Sequence, residues 1–236
     1  LPRKYRENDA ALSIGKIMLM KAHTAIVSNY GSGGSLLYLQ KFIEALQKKA
    51  YPAIYYLPNN TPLDDRDNGL RRFILKDPST SPPWLRANKI KYFYHLLKYL
   101  SNALMLKPEK HLKIAHLLFP FYLTDWITVS RLKRRGLRVV LTVHNIFPHS
   151  AFLGGKIDIT LLRKLYKGAD LLFVHSDSLR NELMDCYSID HHKIKVVQHG
   201  YFDMPKSSID MITLKRKYSV RLQVHIVSME ASSLLT

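Results

Sequence analysis

Residues 137–149 read LRVVLTVHNIFPH, and the fold of the chain is decided there. Val139, Val140, Leu141 and Val143 form an almost unbroken aliphatic and β-branched run, the pattern of a strand buried on both faces. A basic segment ending at Gly136 leads into it, as a helix with a glycine stop would. The run then passes without a spacer into His144 and Asn145, and Pro148 and His149 close the turn. In a parallel α/β sheet the loops at the carboxyl ends of the strands hold the ligand. Polar groups placed directly after such a strand are therefore candidates for a site.

The same device recurs twice downstream. LLFV at 171–174 runs into His175 and Ser176, and IKVV at 194–197 runs into Gln198, His199 and Gly200. One histidine in such a place is ordinarily a satisfied structural group. Three at equivalent positions on successive strands predict a polar cleft along one edge of one sheet.

Outward from this centre the chain alternates. AHTAIVS at 22–28 reads as the first strand, Asn29 to Ser35 as a turn carrying Gly31, Gly33 and Gly34, and the residues from Leu36 as a helix. Leu36, Leu39, Phe42, Ile43 and Leu46 give that helix one apolar face, Pro52 ends it, and 53–57 is a second strand. Residues 58–88 are proline-rich and mostly loop, with FIL at 73–75 a short strand. Asp64, Asp65 and Asp67 lie in that loop, and a solvated turn accounts for them better than a metal motif does. Residues 88–106 predict an amphipathic helix with an apolar stripe of Phe93, Leu96, Leu97, Leu100 and Leu104. A strand at 112–119 and a helix at 122–135 lead to the central strand, and helices at 158–168 and 177–187 separate the last three strands. Alternating β and α from 22 to 200 predicts the α/β class with a doubly wound, Rossmann-like parallel sheet.

Composition narrows the partners. The 236 residues, 47% hydrophobic, suffice for one substantial core, and 36 Lys plus Arg against 18 Asp plus Glu give a net charge of +18. Residues 86–138 carry 12 of those cations and 2 carboxylates, net +10, so the excess is concentrated. Two readings of that stretch stay open: a solvated basic face, or a surface that meets acidic lipid. A single Cys186 forbids an intramolecular disulfide and suits a reducing compartment. With no long apolar run and no signal-peptide core in the loose leader at 1–16, a cytoplasmic protein is expected, peripheral on the inner face of the membrane if the basic stretch binds lipid.

Four stretches together resemble the N-terminal domain of a GT-B glycosyltransferase of the family 4 type. They are the strand, diglycine turn and helix around Gly33 and Gly34; LTVHNIFPH; YKGADLLFVHSDSLRNEL; and DHHKIKVVQHGYFD, which is similar to the family's Ile-x-Val-x-x-His-Gly segment. The resemblance covers residues 22–203. It implies a Rossmann-like N-terminal domain at 17–205, followed at 206–236 by an inter-domain connection and the start of a C-terminal domain. It also implies retaining transfer of a sugar from a nucleotide-diphosphate sugar to a saccharide or lipid-linked acceptor, with no metal or other cofactor. By position, Gly33 and Gly34 would approach the donor phosphates or sugar, His144 would orient the transferring sugar, and His199 and Gly200 would face the donor side. Asn145, His175 and Ser176 would line the cleft. Glycines at a strand-to-helix turn let backbone N–H groups approach an anion, although an ordinary tight turn explains them equally well. The run fails the dinucleotide fingerprint, because Leu36 stands where a third glycine is needed.

Two departures stand out. The family places Gly-His before the second strand, where this chain has Ala50, Tyr51 and Pro52. Within the 236 residues there is also no second set of donor-gripping cations and glutamates after VRLQVHIV at 220–227, so an acceptor-side half, inactive by itself, is expected. Two other classes compete. A basic α/β nucleic-acid-binding protein fits a pI of 9.9 and the clusters at 131–138 and 213–221, but no known reader motif is present, so nucleic acid is a disfavoured partner. A metal hydrolase built on His144 and His149 lacks a neighbouring carboxylate.

Overall fold

The computed structural model describes residues 22–30, 33–58, 61, 70–73, 88–147 and 155–198. The expected leader at 1–16, the connection at 206–236, the turn with Asp64, Asp65 and Asp67, and Gly31, His149, His199 and Gly200 lie outside them.

Among the described residues seven strands form one sheet: β1 (Thr24–Val27), β2 (Ala53–Pro58), β3 (Leu70–Phe73), β4 (Ile114–Leu117), β5 (Arg138–Val143), β6 (Leu171–Val174) and β7 (Ile194–Val196). Every pairing is parallel, and the order is β3-β2-β1-β4-β5-β6-β7. The connecting helices are α1 (Gly33–Lys48), α2 (Asn88–Met105), α3 (Tyr122–Arg134), α4 (Gly155–Gly168) and α5 (Asp177–Tyr187). From β1 the chain winds outward one way to β3, then returns to β4 on the other side and winds on to β7. That is the doubly wound order, and its switch point lies between β1 and β4.

The two directions of winding put helices on opposite faces. On the larger face, Ala25, Val27, Ala115, Leu117, Val139, Leu141, Leu172 and Val174 pack under α2 to α5. On the other face α1 sets Leu39 and Ile43 against Ile26, Tyr55, Leu57 and Leu118. Successive strand residues alternate between these two clusters, as the pleat requires.

Element ends have local causes. Ser176 has extended backbone and its Oγ accepts the Leu179 N–H at 3.2 Å, the N-cap bond that opens α5. Helix α1 closes with Ala50 N–H to Gln47 O at 2.8 Å and Tyr51 N–H to Leu46 O at 2.9 Å. This is a Schellman motif, and it holds Ala50 at a φ of +50°, a conformation that favours glycine. The family's Gly-His departure thus falls on the one residue of that turn where a methyl group is strained.

Strand β6 and helix α5 have the bounds the sequence predicts. Helix α1 begins earlier than expected, at Gly33 rather than Leu36. First-turn N–H groups lack an intrahelical partner whatever residue supplies them, so glycine is tolerated there. Of the short strand expected at 73–75, Phe73 is described and belongs to β3, Leu70–Phe73, paired to β2 through Tyr55↔Leu70 and Pro58↔Phe73; 74 and 75 lie outside the described residues. No helix among the described residues is long and apolar enough to cross a membrane.

Candidate functional site

The carboxyl edge of the sheet gathers two of the three strand-ending histidines. His144 follows β5 and His175 follows β6, and their rings lie 5.0 Å apart at 42°. Each is anchored at one nitrogen: His144 Nε2 lies 3.1 Å from Leu118 O, and His175 Nδ1 lies 3.0 Å from Val197 O. A carbonyl oxygen only accepts, so in both bonds the ring nitrogen is the protonated donor. Phe119, just beyond β4, stacks on His144 at 4.7 Å and 12°, and Tyr38 from α1 meets His144 edge-on at 4.9 Å and His175 at 6.1 Å. Burial pushes the Tyr38 hydroxyl above its ordinary pKa, so it stays a neutral donor. The histidines were legible as strand-ending residues; the aromatic wall that holds them was not. Tyr38 sits one turn before Phe42 and stacks with it at 6.3 Å, an i,i+4 aromatic pair that could have signalled it.

Beside this wall a cavity of about 480 Å³ opens where β1, β4 and β5 end, lined by Tyr30, Phe119, Phe121, His144, Asn145 and Tyr166 among others. Two tyrosines fasten the loop after β5: Tyr166 Oη donates to Ile146 O at 3.3 Å, and Tyr187 Oη donates to the same oxygen at 3.1 Å. Burial raises both hydroxyls, Tyr187 to about 12, so both remain donors.

Beneath the switch point lies a buried polar network that sequence reasoning missed. Asn29, at the end of β1, accepts at Oδ1 from Asn102 Nδ2 of α2 at 3.0 Å. Asp125 of α3 accepts the Phe121 N–H at 2.7 Å and the Thr128 hydroxyl at 2.9 Å, and the Asn29 side chain also bonds it. Burial raises the Asp125 carboxyl to about 6, against the opposing effect of those hydrogen bonds. The network ties the loops after β1 and β4, whose Tyr30 and Phe121 line the cavity, to one another. On the other face, burial lowers His116 to about 4, with the neighbouring His144 adding to the effect; its Nε2 lies 2.8 Å from Thr142 Oγ1.

The remaining expected residues divide. Asn145 lines the cavity. The Ser176 hydroxyl oxygen caps α5. Gly33 and Gly34 form the first turn of α1, and a Cβ at Gly34 would meet no protein atom within 4 Å, so packing does not demand that glycine. Among the described residues, the three metal-binding side chains that could share an ion are the exposed Asp190, His191 and His192. They precede β7 and so sit at the opposite, amino edge of the sheet.

The fold and crevice define a class: a doubly wound α/β domain with a cavity beside its switch point. The chain belongs to glycosyltransferase family 4, whose model matches residues 32–201, well over half of it. Its sheet is the Rossmann-like N-terminal domain of the GT-B architecture. Two solved structures are similar to it. Anabaena Alr3699/HepE in complex with UDP is 14% identical with a TM-score of 0.47, over 75% of this chain and 44% of that one. A glycosyltransferase from Rickettsia africae ESF-5 is 16% identical with a TM-score of 0.48, over 86% of this chain and 51% of that one. The chain spans about half the length of these structures. No curated protein sequence matches it.

Proposed function

We propose that this domain is the acceptor side of a retaining glycosyltransferase, which moves a sugar from a nucleotide-diphosphate sugar to a saccharide or lipid-linked acceptor. The observation that carries the reading is the aromatic–histidine wall beside a cavity at the switch point, in a member of family 4. Aromatic faces suit the apolar side of a sugar ring, and the neighbouring polar groups suit its hydroxyls. In the transfer the bond from the anomeric carbon to the diphosphate breaks while the acceptor hydroxyl oxygen bonds to that carbon and its proton passes to the departing diphosphate. Positive charge develops on the sugar, and it is stabilised by polar groups already in place.

His144 fits that part. Its Nε2–H is held by Leu118 O, its ring by Phe119 and Tyr38, and it follows a strand buried in the core, so its position is set before substrate arrives. The first turn of α1, with Gly33 and Gly34, offers backbone N–H groups to the donor diphosphate. His199 and Gly200 take the donor side, and Asn145 and His175 the acceptor side. No metal or other cofactor has a part in this scheme.

The test is turnover of a panel of nucleotide-diphosphate sugars by the enzyme in which this domain works with a donor-gripping half. Wild type is compared with His144→Ala and His149→Ala. Full activity in the His144 variant together with its loss in the His149 variant would place the crevice elsewhere.

A further inference from the structure

Helix α2 has two unlike sides. Its inner side buries Tyr99, Asn102 and Ala103 against the rest of the domain. Its outer side is a ridge: Phe93, Leu97, Leu100 and Leu104 recur at steps of four, three and four residues, which stacks them along one face. Phe93 is 61% exposed, and Leu97 and Leu104 are each 47% exposed. Large apolar side chains contiguous on one face, as against scattered singly, mark an interaction surface.

The border of the ridge is basic. Lys98 lies over the Tyr94 ring at 4.6 Å, on the flank of the helix, and exposed Lys107 and Lys110 follow its end. Arg131 of α3 donates to Leu104 O at 2.8 Å, and Arg135 donates to Pro108 O at 3.0 Å, so the basic end of α3 is fastened beside the end of the ridge. Residues 88–138 contain two acids, Glu109 and Asp125, and Asp125 is buried in the network under the switch point.

We propose that this face docks on an anionic lipid bilayer, with the ridge entering the boundary between headgroups and acyl chains and the lysines and arginines meeting acidic headgroups. Charge selects the occupant. A second copy would bring two like-charged borders together, which opposes pairing. Nucleic acid or free phosphate would satisfy the cations and leave a phenylalanine and three leucines in water. An acidic bilayer satisfies both parts of the surface at once. The proposal does not rest on the catalytic reading, and neither falls with the other.

The experiment is cosedimentation of the chain with vesicles of phosphatidylcholine alone and of phosphatidylcholine mixed with phosphatidylserine, at low and high salt. Binding to the mixed vesicles is expected to be at least about tenfold tighter than to the neutral ones and to weaken as salt rises. Phe93→Ser with Leu97→Ser, and separately Lys98→Glu with Lys107→Glu, are each expected to reduce it about tenfold or more, with unchanged circular dichroism. Equal binding to both vesicle types, or binding to the mixed vesicles that survives the ridge substitutions, would overturn the proposal. So would a lipid-free dimer that the ridge substitutions dissociate, or a preference for duplex DNA that they leave untouched.

Discussion

The two faces of the sheet are built from different materials. The face under α2 to α5 is a large, mostly aliphatic cluster closed by buried tyrosines. The face under α1 has a smaller aliphatic cluster, and beside it lies a layer of rings: Phe42 meets His116 at 5.6 Å, and His116 meets Phe173 at 5.4 Å. That layer continues to the carboxyl edge as Tyr38, Phe119, His144 and His175. Stability and chemistry are thus kept on different faces of the sheet. One face supplies most of the burial, and the other brings polar rings to the edge where the strands end.

Core truncation should separate the two faces most strongly. Leu141, fully buried in the larger cluster, should cost about 3–5 kcal/mol when replaced by Ala. Leu39, equally buried but in the smaller cluster, should cost about 2–3 kcal/mol, because fewer buried side chains surround it. Urea unfolding of the two variants measures both, and equal losses would erase the distinction between the faces.

The next test concerns the edge. His144→Ala should lower turnover by about 10- to 1000-fold, the scale of one preorganised polar contact and equivalent to roughly 1.4–4 kcal/mol. The variant should remain folded, since His144 is only half-buried and lies beyond the strand. Loss of folding in this variant would move the residue from the site to the scaffold.

Acidification separates the faces further, because each carries a buried group, Asp125 on one and His116 on the other, that burial shifts within the acid range. The Asp125 pKa is raised from 3.8 to about 6 by burial, so its contribution to stability is present at low pH and lost as pH rises through about 6. The His116 pKa is lowered from 6.5 to about 4 by burial, so its contribution is present above 6.5 and lost as pH falls towards 4. Between pH 7 and 5 the two oppose one another, and the wild-type chain should change little. Asp125→Asn leaves the histidine alone, and stability should then fall by about 2 kcal/mol over that range. His116→Asn leaves the carboxylate alone, and stability should rise by about 1 kcal/mol. Urea midpoints at pH 7, 6 and 5 check the signs; slopes of the same sign in both variants would show that these groups do not control the pH response.

The smallest effect is expected at the end of α1. Ala50→Gly removes the Cβ from a residue at a φ of +50° and should stabilise the chain by about 1 kcal/mol. A neutral or lower melting temperature would mean that the turn does not hold the strain its geometry implies.

Much of the architecture was legible because it rests on local pattern. The run from Val139 to Val143 is apolar on both sides since both sides are buried, and Ser176 announces α5 through a cap bond made within four residues. The outer face of α2 was legible as an apolar stripe but not as an exposed one. Periodicity reports that a face is apolar and says nothing of what covers it, while the side actually buried includes the polar Asn102. The network of Asn29, Asn102 and Asp125 was illegible for another reason. Its members come from three elements far apart in sequence, and each alone reads as a surface residue. Of the expected site, His144, Asn145 and His175 come together because a strand places each; their aromatic supports arrive from α1 and β4, where no strand-end rule points to them.

The strand order also sets a timetable. β1 pairs on one side with β2, whose register Thr24↔Ala53 needs a short span of chain, and on the other with β4, whose register Thr24↔Ile114 must wait for a far longer one. As the polypeptide leaves the ribosome, β1 and β2 can therefore meet early, while the inner edge of β1 stays open until β4 has been made. Once β4 arrives, β5 and β6 can add in turn through nearer neighbours. The edge that waits carries Ala25, Ile26 and Val27, a β-prone apolar segment, so the vulnerable moment in synthesis is the interval before β4. Substitutions that slow the docking of β4 should show themselves first as lost yield during expression, before any change in the behaviour of the finished protein.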